Sequence, residues 1–387
     1  MTNPPATDQC NLAISGKSKG MRTARAILTA SVVLAAAVVP AGIAAGSPRA
    51  PARDVLRADP VATGLDSPVT FTFMPSGRIF YGEKNSGEIR IVNPKADTNR
   101  HFTTISHVVN NGEQGLLGLA LHPNYPKQPL VFAYATRLVD GEERDQILRM
   151  RNVDGHAADI TVIFSSKTTS GRYHDGGRIL FGPDGFLYAV QGEAHGASRA
   201  QDLTNSAGKV LRMTTTGARA PGNPIQGSRI WSFGHRNSFG MAFDPRTDRL
   251  WETENGPECT DEINRIVGGG NFGWGPEENC SDPKPGGTNQ SGPAPIQPEA
   301  FYADTIAPTG MVFCEDCGLR SGFNGKFLFG DCNTGHIHRV ALTANRLSIA
   351  SQSLVLANGN CIFSMERGPN GGVYFSDPGG IFRLRLS

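Results

Sequence analysis

Short apolar runs broken by Pro, Gly, Asn and Asp turns recur along most of the chain, with the period of strands rather than helices. One unit is an apolar run, a Pro- or Asp-centred turn and a second apolar run. It stands at FTFMPSGRIFYGE (71–83), LALHPNYPKQPLVFAYA (119–135), ILFGPDGFLYAVQGE (179–193) and MAFDPRTDRLWETENG (241–256). It returns as MVFCEDCGLRSGFNGKFLFGD (311–331) and FSMERGPNGGVYFSD (363–377). Each copy reads as a hairpin. A second unit, a polar or Gly turn before a short apolar strand with an Arg or similar residue near it, alternates with the first: GEIRIVNP, DQILRMRNV, GKVLRMTTT, DEINRIVGG, GHIHRVAL and GIFRLRLS.

Six interleaved copies at roughly 50–70 residue spacing predict an all-β fold, a six-bladed β-propeller of four-stranded antiparallel sheets. One small sheet cannot bury both faces, whereas radial neighbours cover one another and closure removes free edges. The segment 55–64 is expected to complete the last blade and close the ring. A β-sandwich pair is the alternative, and the regular sixfold count argues against it.

Composition sharpens this picture. Among the 387 residues, 47 glycines and 26 prolines are spread along the chain, as a turn-rich fold requires. Residues 1–46 read as an N-terminal extension and a secretory signal peptide: a basic stretch from Met21 to Arg25, an apolar stretch from Ala26 to Val39 and small residues from Pro40 to Gly46. That apolar stretch is short against the roughly 20 residues needed to span a bilayer. The reading is a secreted or periplasmic protein with no stable membrane span after cleavage, its propeller domain occupying 47–387. Net charge is +2, and no polybasic tract or basic–aromatic stripe points to nucleic acid. Six cysteines follow the leader and allow 15 pairings. Local spacing favours 259–280, 314–317 and 332–361. A zinc site on Cys314 and Cys317 competes, but no second pair completes four ligands.

Candidate chemistry gathers at the hairpin ends. His174 precedes the third hairpin and Glu193 follows it, so the two can meet, with the carboxylate orienting an imidazole base. Arg236 offers a permanent charge to an anionic cofactor or a developing oxyanion, and Asn237 adjoins it. Gly256 and Pro257 can give carbonyls to calcium, Glu262 a carboxylate and Phe272 a carbonyl. Glu113 opens the second hairpin and can reach the same mouth. Walker, HExxH and nucleophile-elbow motifs are absent.

These segments together resemble the soluble pyrroloquinoline quinone (PQQ)-dependent sugar dehydrogenases, the glucose/sorbosone or aldose dehydrogenase family. The likeness rests on EQGLLGLALHPNY, HDGGRILFGPDGFLYAVQGE, GKVLRM, FGHRNSFGMAFDP, ENGPECTDEINRI, GGNFGWG and APTGMVF, in that order. It implies a six-bladed propeller that oxidises an aldose at its anomeric carbon with hydride transfer to PQQ, in the presence of calcium, and passes electrons to an external acceptor. On this resemblance His174 is the base, and Glu193 stands where the family usually has an Asp. Arg236 stabilises charge on the quinone, and Asn237 and Glu113 face the cofactor. Gly256 and Pro257 hold its calcium, while Glu262 and Phe272 serve a second, structural calcium.

The chain also departs from the pattern. The family's glucose enzymes place a Lys in the fifth blade and two Arg in the sixth, and the matching stretches DCNTG (331–335) and NCIF (360–363) carry neither. Phe239 stands where a polar cofactor contact is common. Two alternatives follow: a disulfide-stabilised propeller that binds carbohydrate or a protein partner without redox chemistry, and a calcium-dependent lactonase using His174.

Overall fold

A computed structural model describes residues 55–167, 171–257, 259–275 and 294–387. The leader read at 1–46 and Cys280 lie outside the described residues. Six four-stranded antiparallel sheets follow one another along the chain, and no α-helix occurs among the described residues. No helix there is long and apolar enough to cross a membrane.

The innermost strands of the six blades are Pro68–Phe73, Leu116–Leu121, Ile179–Phe181, Ser238–Phe243, Pro308–Cys314 and Ser364–Arg367. Each contacts the next around the axis, and the sixth contacts the first. The expected closure is present: Leu56–Thr63 pairs antiparallel with Gly380–Leu386, with Leu56 opposite Leu386. A strand that precedes the first blade in sequence thus supplies the outer edge of the last.

Cores form between blades rather than within them, because each sheet is apolar on both faces. Leu117, Phe132 and Tyr134 of blade two meet Ile179, Leu187 and Leu211 of blade three. Trp251 of blade four meets Phe327 and Phe329 of blade five, and all three are fully buried. Burying such side chains contributes roughly 1.5–3 kcal/mol each.

The outermost strands were not individually placed by the apolar pattern. Thr98–Thr104 is almost wholly exposed, and His156–Ser165 and Ile349–Ala357 are largely so. Polar edges leave no hydrophobic period to read. Disulfides join Cys314 to Cys317 and Cys332 to Cys361, matching two of the three expected pairs. The first of these bonds excludes the zinc alternative at Cys314 and Cys317, since both thiolates are consumed.

Candidate active site

In blades three and four the innermost strand begins, and its neighbour ends, at the same end of the blade. His174 therefore stands before Ile179–Phe181, and Glu193 just after Leu187–Gln191. Arg236 and Asn237 stand before Ser238–Phe243, and Asn255, Gly256 and Pro257 just after Leu250–Glu254.

His174 adopts φ +64°, a left-handed backbone that non-glycine residues rarely take. The turn is possible only because Gly192 packs against it: a Cβ there would lie 2.0 Å from the His174 carbonyl oxygen. The His174 main-chain N–H donates to Glu113 Oε2 at 2.9 Å. Asn237 Nδ2 donates to the same oxygen at 2.9 Å, and the Gly176 N–H donates to Asn237 Oδ1 at 3.2 Å. Glu113, His174 and Asn237, from three successive blades, are thus one network.

His174 Nδ1 meets Glu193 Oε1 in a short contact, with side-chain exposures of 7% and 3%. An ionised carboxylate accepting the Nδ1 proton fixes the ring tautomer, so proton acceptance falls to Nε2. Burial raises the Glu193 pKa above the ordinary carboxylate range, although Arg236 and His195 oppose it. Glu193 Oε2 is buried and has no hydrogen-bond partner among the described residues. The His195 ring lies 4.4 Å from that of His174.

Arg236 ties two loops together. Its Nη1 donates to the carbonyls of Asn255 at 3.0 Å and Gly256 at 2.6 Å, and its guanidinium lies 5.3 Å from the centre of the Trp274 ring. Its main-chain N–H donates to Glu254 Oε1, and its carbonyl accepts the Glu193 N–H at 2.8 Å. Pro257 follows half-buried.

Glu262 and Phe272 occupy a neighbouring layer. Asn264 Nδ2 links Glu262 Oε2 at 2.9 Å to Glu254 Oε2 at 3.3 Å. The Phe272 ring stacks on His235 at 4.7 Å. His235 Nδ1 lies 2.8 Å from Glu252 Oε1 and 3.0 Å from Glu254 Oε2. Burial disfavours the imidazolium, but the two carboxylates outweigh it and hold the pKa up at about 10.

Sequence reasoning brought together Glu113, His174, Glu193, Arg236, Asn237 and Gly256. It missed His195, Glu252, Glu254 and Trp274 as parts of the surroundings. Glu254 lay inside the quoted ENGP loop, but a carboxylate that caps a main-chain N–H leaves no spacing signature.

A six-bladed ring with a buried His–Glu pair, an Arg and loop carbonyls at one mouth defines a propeller of the sugar-dehydrogenase class. Residues 65–382 match the Glucose / Sorbosone dehydrogenase family, and the chain belongs to it. The aldose sugar dehydrogenase YliI of Escherichia coli (strain K12) is 28% identical over 325 residues, covering 80% of this chain and 86% of that protein. Quinoprotein glucose dehydrogenase B of Acinetobacter calcoaceticus is 30% identical over 245 residues, covering 55% of this chain and 51% of its own length. The solved PQQ-bound form of the aldose sugar dehydrogenase of Streptomyces coelicolor superposes with a TM-score of 0.74 at 29% identity, covering 87% of this chain and 99% of that one.

Proposed function

We propose that the protein is a secreted or periplasmic dehydrogenase that oxidises an aldose at its anomeric carbon, using PQQ and calcium. The single observation that carries this is the His174–Glu193 pair set against Arg236 and the Gly256 carbonyl at one mouth. The donor set suits these groups: hard carbonyl oxygens for calcium, a guanidinium and an amide for a quinone, and a buried acceptor, Glu193 Oε2, beside the base. When bound, PQQ supplies the two-electron acceptor for the anomeric hydride, and calcium a Lewis acid beside it.

The chain's own residues do the rest. His174 Nε2 takes the proton of the anomeric hydroxyl as the C–H bond gives up its hydride, and the sugar leaves as a lactone. Glu193 orients the ring and compensates its positive charge. Arg236 presents a fixed cation to an anionic oxygen, at no cost in reorganisation. Asn237 and Glu113 would hold the cofactor, Gly256 and Pro257 its calcium, and Glu262 with the Phe272 carbonyl a structural calcium. An external acceptor completes the cycle.

The experiment is a titration of purified apoprotein with PQQ and calcium, followed by dye reduction with a panel of aldoses. Sugar-dependent reduction is expected, with micromolar or tighter PQQ binding. A second reading, a carbohydrate- or protein-binding propeller, is favoured by the rim of blades five and six: loops 331–335 and 358–363 carry no Lys or Arg. Sugar binding with no PQQ binding would select that reading.

A further inference from the structure

We propose that Asp331, His336 and His338 form a binding site for a divalent transition-metal cation, with zinc as the reference ion, at the rim of blade five. The strands Lys326–Asp331 and His336–Leu342 are antiparallel neighbours, with Phe329 opposite His338 and Gly330 opposite Ile337. That register carries Asp331, His336 and His338 onto one face of the sheet. One ligand atom from each of the three lies within 4.8 Å of the others. Asp331 Oδ2 is 2.8 Å from His338 Nε2. Ligand bonds of about 2.1 Å set neighbouring ligand atoms about 3.0–3.4 Å apart, so closure around an ion needs only small side-chain movements.

The surroundings hold these groups in place. The His338 ring stacks on Phe329 at 4.6 Å, tilted by 9°. Thr334 donates to Asp331 Oδ1 from its main-chain N–H at 2.9 Å and from Oγ1 at 2.7 Å. The disulfide from Cys332 to Cys361 pins the intervening turn to the next connection. Supporting contacts of this kind orient metal ligands.

The His336 imidazole stands differently. Among the described residues it makes no hydrogen bond, and only the main-chain N–H of His336 donates, to Asp331 Oδ1 at 3.3 Å. Asp331 is fully buried while both histidines are half-buried, so the open side faces solvent and leaves coordination positions for water. Two imidazoles and one carboxylate suit zinc, cobalt, nickel or copper, whereas calcium prefers an all-oxygen set.

The test uses the tag-free full chain, stripped with EDTA and titrated with Co²⁺ by visible absorption. Zn²⁺ is titrated by competition with a chromophoric chelator, with and without excess Ca²⁺. One equivalent of Zn²⁺ that Ca²⁺ does not displace is expected. His336→Ala should weaken it at least tenfold and leave the metal-free melting temperature unchanged, with His336→Gln as a polar control for folding. His156→Ala, on the exposed edge of blade two, should bind as the unaltered protein does. Absence of zinc binding, unchanged affinity in His336→Ala, or early metal-free melting of both His336 variants would each overturn the assignment. The readout involves neither PQQ nor sugar, so its failure is separable from failure of the proposed activity.

Discussion

Blades three and four differ from blades five and six at the same kind of loop. In the first pair, loop residues carry a base, its carboxylate and a guanidinium, cross-linked by hydrogen bonds through Glu113 and Glu254. In the second pair the corresponding loops are joined covalently, Cys332 to Cys361, and local hydrogen bonds hold their carboxylates: Asp331 accepts from Thr334, and Asn358 donates to Asp377. The loops of blades three and four bring titratable and charged side chains together. Those of blades five and six are cross-linked by a disulfide and carry no Lys or Arg at 331–335 and 358–363. Charge-assisted contacts contribute about 1.5–3 kcal/mol each, so under the proposed function the difference bears mainly on PQQ affinity.

The largest effect should come from His174→Ala: PQQ-linked sugar oxidation falls about a thousandfold while PQQ affinity changes little, measured by dye reduction and by cofactor titration. Activity close to that of the unaltered enzyme would break the contrast at its first half. Next, the double substitution Cys332→Ser, Cys361→Ser should cost about 3 kcal/mol by denaturant unfolding and spare turnover, as expected for a bond that closes a loop and takes no part in chemistry. A loss of turnover with full stability would give the second pair of blades a chemical role.

A pH test examines a buried amine of blade three. Lys209 in blade three is buried and donates to the carbonyls of Arg199 at 2.8 Å and Ala207 at 2.6 Å. Burial pushes its amine from 10.5 down to about 7, with Asp202 opposing. A folded pKa below the unfolded one means that its contribution to stability is present above pH 10.5 and is lost as the pH falls through about 7. The stability of the unaltered protein relative to Lys209→Met should therefore rise with pH across that window, by about 5 kcal/mol if the full shift is realised. A flat difference would remove Lys209 as a buried charge. The smallest effect expected is a gain: Asn333→Lys, which adds a cation to the blade-five loop, should tighten PQQ binding about tenfold.

Most of the ring was legible because three strands of each blade face other blades and carry apolar residues such as Phe71, Tyr134, Trp251 and Phe375. The fourth strand was legible only at the closure. In blades one, two and five it lies at the solvent edge, where Thr98–Thr104 carries just one buried side chain, Phe102. At the mouth, the pairing of His174 with Glu193 followed from hairpin geometry, since the two flank one hairpin. The roles of Trp274 beneath Arg236, and of Glu252 and Glu254 around His235, depend on contacts between side chains and main chain far apart in sequence. Residue type and spacing do not encode those contacts.

The pairing of Leu56–Thr63 with Gly380–Leu386 makes the first and last strands mutually dependent. No growing or truncated chain can seal the circle until both are present. Deleting either would bare a full-length ladder of unpaired amides and carbonyls on the sixth sheet, a template on which a second molecule could dock its own terminal strand.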